Sequence, residues 1–180
     1  MEQIGVWHGD HMRFSRLIAL IEREMTAFHA GLDPDFKLIR DAVHYLHNYA
    51  DQVHHPREDE AFKHLARRNP AFQFTVDRLM QEHRAIAVAG RTLLELLEEI
   101  LGNAMLERAS VESAAALYIS YFRSHLITEE REVLPHAAAL LTQEDWAAVD
   151  AAVTGIPDPL FGGDVAAEYH ALRGRISGVL

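Results

Sequence analysis

The chain has 180 residues and a formal net charge of −10, from 17 Lys and Arg against 27 Asp and Glu. A chain of this length buries roughly 70% of its unfolded surface around one core, so one domain over 1–180 is expected, and the acidic balance without a basic stripe argues against nucleic acid as a partner. Cysteine is absent, which excludes disulfides, thiolate nucleophiles and Cys-ligated zinc or iron–sulfur sites; any metal falls to His, Asp and Glu, and there are 12 His.

The opening stretch MEQIGVWHGDHMRF lacks the basic and apolar pattern of a secretory signal, and no apolar run approaches the ~20 residues of a membrane span. A cytoplasmic location without a membrane partner is expected. Helix breakers cluster at 31–35, 67–70, 102–110, 141–145 and 157–163. Four long Ala-, Leu-, Glu- and Arg-rich segments lie between them, forming a bundle core over about 4–140 with a C-terminal helical extension over about 141–180.

The first segment carries Ile4, Trp7, His11, Phe14, Ile18, Ile21, Met25 and Phe28 at alternating spacings of three and four, the buried seam of a bundle helix. The third repeats it 72 residues later with Val76, Leu79, His83, Ile86, Gly90, Leu93, Leu97 and Ile100, and histidine again holds the third place. The second and fourth correspond at a shift of 71, pairing Val43 with Ala114, Leu46 with Leu117, Ala50 with Tyr121, His54 with His125 and Glu58 with Glu129. Two helical hairpins of one pattern predict an all-α fold, an up-down-up-down antiparallel four-helix bundle. Pro56 and Pro135 should bend their helices without ending them. Beyond the bundle, Thr142 and Asp145 read as the capping box of a short helix, and a last helix from about 164 to 178 should cover a bundle edge or form a homodimer contact.

Counting residues from the turns places His11, His54, His83 and His125 at one height, within about 3 Å at 1.5 Å per residue. Residues four apart share a helix face, so His54 with Glu58, and His125 with Glu129, each present an imidazole and a carboxylate inward. No Lys or Arg on the seams could neutralise two buried carboxylates, whereas a pair of divalent ions would. Imidazole and carboxylate suit iron, manganese or zinc.

This order of residues, with the stretches VHHPREDEAF and HLITEEREVLP, resembles the hemerythrin-like, or HHE cation-binding, domain over about residues 4–140. The resemblance implies two iron ions in a non-haem di-iron centre, held by His11, His54, Glu58, His83, His125 and Glu129, with the two glutamates as bridges. It also implies a small diatomic ligand or peroxide as partner, with sensing, detoxification or iron buffering as the role. The oxygen carriers of that family have a second histidine on the third helix where this chain has Ala87, which argues against simple oxygen carriage. His8 and Tyr121, each one turn from a site histidine, are candidate additional ligands. His55 and Asp59 lie about 100° off the face and suit a supporting or solvent role, and Glu130 and Glu132 read as a solvated acidic face. Trp7, Phe14, Leu79 and Ile86 would line the apolar surroundings. A competing expectation is a structural or regulatory bundle that metal only stabilises and that acts through protein partners.

Overall fold

The first apolar stripe forms one rod, α1 (Glu2–His29), with Trp7, His11, Phe14, Ile18, Ile21 and Met25 buried along its seam. The computed structural model describes residues 2–177. α1 stops where Gly31 takes φ 79°, a left-handed conformation that side chains disfavour, and Leu32 N–H donates to Ala27 O at 3.0 Å. α2 (36–68) begins at Asp35, whose carboxylate accepts from Leu38 N–H at 2.9 Å. α3 (Gln73–Leu101) follows a single turn at Pro70–Phe72, and α4 occupies 108–140. α5 (Gln143–Ala152) is opened by the expected capping box of Thr142 and Asp145. The last helix, α6 (His170–Ser177), starts later than the sequence suggested. The Asp158 carboxylate accepts from the Leu160 and Phe161 N–H groups and holds a turn before it, and only the single tight turn Ala167–Tyr169 leads into the helix.

α1 packs on α2, α2 on α3, α3 on α4 and α4 on α1, a closed ring of four long helices. Tyr169, Leu172 and Ile176 bury against this body from the C-terminal segment, and α6 rests on the start of α2. The apolar interior falls into two clusters. The larger holds Phe14, Ile18, Tyr45, Ile86, Leu93 and Phe122, and the smaller holds Trp7, Phe62, Leu65, Leu79 and Leu134. On every one of the four helices a buried His or Glu stands between the members of the two clusters, so a polar layer cuts the core in two. Among the described residues there is no strand, and no helix is long and apolar enough to cross a membrane.

α2 and α4 run through Pro56 and Pro135, but their accommodation differs from a simple bend. Ahead of each proline the helix widens: Leu46–His54 and Glu129–Val133 are π-helical, with His55 N–H donating to Ala50 O and Leu134 N–H to Glu129 O. Proline offers no N–H to the carbonyl four residues back and its ring collides with that carbonyl, and a wider turn relieves both.

Each wide turn absorbs one extra residue, and this corrects the internal repeat. On either side of the ligand layer α4 matches α2 at a shift of 72: Val43 with Ala115, Leu46 with Tyr118, Ala50 with Phe122, and beyond the site Phe62 with Leu134 and Leu65 with Ala137, all buried. Only between the wide turns does the shift drop to 71, for His54 with His125 and Glu58 with Glu129. The expected partners Leu117 and Tyr121 are therefore one residue out of phase, and they stand 46% and 43% exposed. Phe122→Ala should cost about 3–5 kcal/mol of unfolding free energy, whereas Tyr121→Ala should cost less than about 0.5 kcal/mol. Denaturant unfolding separates them, and equal losses would refute this phase.

Candidate metal centre

α1 and α2 bring His11, His54 and Glu58 together. His11 Nε2 lies 3.0 Å from His54 Nε2 and 3.1 Å from Glu58 Oε1, and His54 Nε2 lies 3.1 Å from the same oxygen. α3 and α4 repeat the arrangement. His83 Nε2 lies 2.9 Å from His125 Nε2 and 3.3 Å from Glu129 Oε1, and His125 Nε2 lies 3.1 Å from Glu129 Oε2. The carboxylates also reach across, with Glu58 Oε2 3.7 Å from His83 Nε2 and Glu129 Oε2 3.5 Å from His11 Nε2. All six side chains are at most 5% exposed.

These spacings fit a metal. Two donors at right angles, each about 2.1 Å from one ion, are about 3.0 Å apart, close to the edges of both trios. Glu58 Oε2 and Glu129 Oε2 are buried without a hydrogen-bond partner, a costly state that a cation between the trios would relieve.

The outward nitrogens show a second regularity. His11 Nδ1 donates to Glu130 (2.7 Å), His54 Nδ1 to Asp10 (3.2 Å), His83 Nδ1 to Asp59 (2.7 Å) and His125 Nδ1 to Glu82 (3.1 Å). Each bond places the ring proton on Nδ1 and turns the Nε2 lone pair inward, as carboxylate–histidine–metal pairs do. Glu130 thus belongs to the centre's support, which corrects its reading as part of a solvated face, and Asp59 takes a supporting role behind His83. Asp10 and Glu82 went unnoticed in the sequence, although a signal was there. An acid precedes His11 and His83, and another follows Glu58 and Glu129, at the offsets of the ligands themselves. Asp10→Asn and Glu82→Gln should each weaken metal affinity by about 10–100-fold, read by competition with a chromogenic chelator. Unchanged affinity in both would show these contacts to be idle.

The two candidate extra ligands lie elsewhere. The His8 side chain is 59% exposed and donates to Glu130 at 3.0 Å, and Tyr121 lines an outer groove with Arg78, Gln81 and Glu82. His55 is buried, stacked on His83 with ring centroids 4.2 Å apart. Trp7 and Phe14 press their ring edges on His54 at 6.1 and 5.0 Å. On the outer side of His54 a cavity of about 180 Å³ opens between Trp7, Asp10, Tyr49 and Arg57.

Electrostatics without a metal are tense. Burial alone would lower the His11 pKa, yet Glu130, Glu58 and Glu129 overturn this and raise it to about 10. Burial likewise opposes charge on His83, and Asp59, Glu129 and Glu58 raise it to about 10. Burial would push the Glu58 carboxyl up, but His54 and His11 hold it well below the usual range. Burial and Glu58 push Glu129 up, while His125 and His83 bring it down on balance. Burial, then His83, lowers His55 to about 4.

The model of the hemerythrin HHE cation-binding domain matches residues 3–137. Neither a curated protein nor a solved structure matches the chain.

Proposed function

Because the chain belongs to the hemerythrin HHE cation-binding domain family, we propose that it is an up-down-up-down four-helix bundle holding two iron ions, and that it binds or reacts with oxygen, peroxide or nitric oxide. Sensing, detoxification and iron buffering all use such a centre. The observation that carries the reading is the doubled trio, two sets of two imidazoles and a carboxylate at ligand spacing, each imidazole backed by its own carboxylate.

A bound iron pair would supply two adjacent redox-active Lewis acids. His11, His54 and Glu58 would hold one position, and His83, His125 and Glu129 the other, with each glutamate's second oxygen turned toward the opposite trio. The protein's own contribution is orientation and exclusion. Asp10, Asp59, Glu82 and Glu130 fix the four ring tautomers, and Trp7 and Phe14 shield His54 from water. With every candidate ligand at most 5% exposed, the site suits a molecule of two or three atoms better than a bulky organic substrate. The same donors fit manganese or zinc, and loading experiments separate these from iron.

The test is anaerobic loading with ferrous iron, followed by the iron-to-chain ratio and the visible spectrum in oxygen and again under argon. The expected result is about two irons per chain and a visible band that appears with oxygen. A band that fades under argon favours reversible binding, and one that persists favours oxidation or sensing. Less than one iron per chain with no band would overturn the reading.

A further inference from the structure

We propose that His55 is a fifth imidazole ligand, added by α2 to the trio of His83, His125 and Glu129, so that the two metal positions are unequal. This rests on the dinuclear reading above and deepens it.

His55 is 2% exposed, and neither of its ring nitrogens makes a hydrogen bond. A buried imidazole without a partner is expensive, so a bland packing role leaves its cost unexplained. Its surroundings point to an ion. One ligand atom each from His55, Glu58, His83 and His125 lies within 4.8 Å of the others. The His55 ring stacks on His83 and stands edge-on to His125, with centroids 5.4 Å apart.

His55 also approximates the rule that the other four histidines obey. Its Nδ1 sits 3.3 Å from Asp51 Oδ1, while His47 donates to the other oxygen of that carboxylate at 3.1 Å. Asp51 Oδ1 is itself buried without a hydrogen bond, so a rotation of the ring out of its stack on His83 would pair these two atoms and free Nε2 to share an ion with the trio. Nothing in the second half copies this. The residue matching His55 at the shift of 71 is Leu126, and the residue matching Asp51 at the shift of 72 is Arg123. The π turn of α2 ends at His54, just ahead of His55, whereas that of α4 starts at Glu129, beyond Leu126. The bulge upstream of the motif accounts for two consecutive histidines facing the layer from α2.

Cobalt(II)-loaded protein provides the test, through proton NMR. Each ligated imidazole that keeps its Nδ1 proton gives one exchangeable resonance shifted far downfield by the paramagnetic ion. The unaltered chain should show five, and His55→Leu, which installs the residue of the matching position, should show four. In that variant the dissociation constant of one cobalt equivalent should rise at least about tenfold with the other unchanged. His55→Gln serves as a second variant, and the count in the unaltered chain decides even where neither variant folds. Two cobalt ions per chain with four resonances would overturn this proposal and leave the dinuclear centre standing. Uptake below one cobalt per chain would overturn both.

Discussion

Glu58→Ala is expected to abolish stoichiometric metal binding and, with it, the rise in melting temperature that metal confers. Metal at about a thousand times its dissociation constant stabilises a folded site by about 4 kcal/mol, which for a chain of this size is roughly 8–16 °C. Glu58 carries this weight because its Oε1 lies 3.1 Å from both His11 and His54 while its Oε2 faces His83. Its loss strips a donor from both positions at once. His125→Ala should behave similarly, since His125 joins His83 and Glu129. His170→Ala, whose ring only donates to Val165 O at the exposed C-terminal side, should leave metal content unchanged. Metal analysis with differential scanning fluorimetry, each protein measured with and without metal, checks all three. Full occupancy and an undiminished thermal gain in Glu58→Ala would remove this glutamate from the site.

Metal uptake is expected to release protons and to strengthen steeply with pH. In the metal-free chain His11 and His83 are raised to about 10, so both are charged at neutrality. A ligand must give up its proton before it binds a cation. His54 and His125 are raised as well. At least about two protons should therefore leave per metal pair at pH 7, and affinity for the pair should climb by about 100-fold or more per pH unit between roughly 6.5 and 10. The stability of the metal-free chain runs the other way over that window. A raised histidine contributes fully below its unfolded value of 6.5 and loses that contribution as the pH rises through about 10. On the acid side Glu58 and Glu129, both lowered, contribute above 4.5 and lose their contribution as the pH falls toward their folded values. Buried His55, lowered to about 4, adds a further rise in stability up to 6.5, so metal-free stability should peak near 6.5. Calorimetric titration in two buffers of different ionisation enthalpy counts the protons. Fewer than about half a proton per pair would contradict this charge assignment.

The seams of α1 and α3 were legible because apolar spacing is what burial demands, and every seam position from Trp7 to Met25 and from Val76 to Leu97 is buried. The convergence of six ligand-type side chains was legible from height alone. Of the supporting acids only Asp59 was read so, because an acidic residue on a long helix is ordinarily solvated, and nothing but the repeat itself marks Asp10 or Glu82 as different from Glu99. The wide turns left one trace in the sequence. His11 and His83 are 72 apart while His54 and His125 are 71 apart, a slip that straight helices of one pattern do not produce. Extending the shift of 71 up α2 turned Leu117 and Tyr121 inward on paper, one position from the residues that pack. His8 failed for a related reason: three residues from His11 is near the seam but off its axis, and the ring turns out to Glu130.

The two wide turns also uncouple the site from its scaffold. One residue added to an ordinary helix rotates everything beyond it by about 100°, which would drag a whole core out of register. Here the residue gained by α2 before its motif is matched by the residue gained by α4 after its own, so the halves agree at both ends and differ only across the ligand layer. The stretch 54–58 behaves as a swivel set between two clamped cores. Sliding a bulge past such a motif would exchange which neighbours face the metals while the flanking packing stayed in place, a cheap route for one bundle to diversify its chemistry.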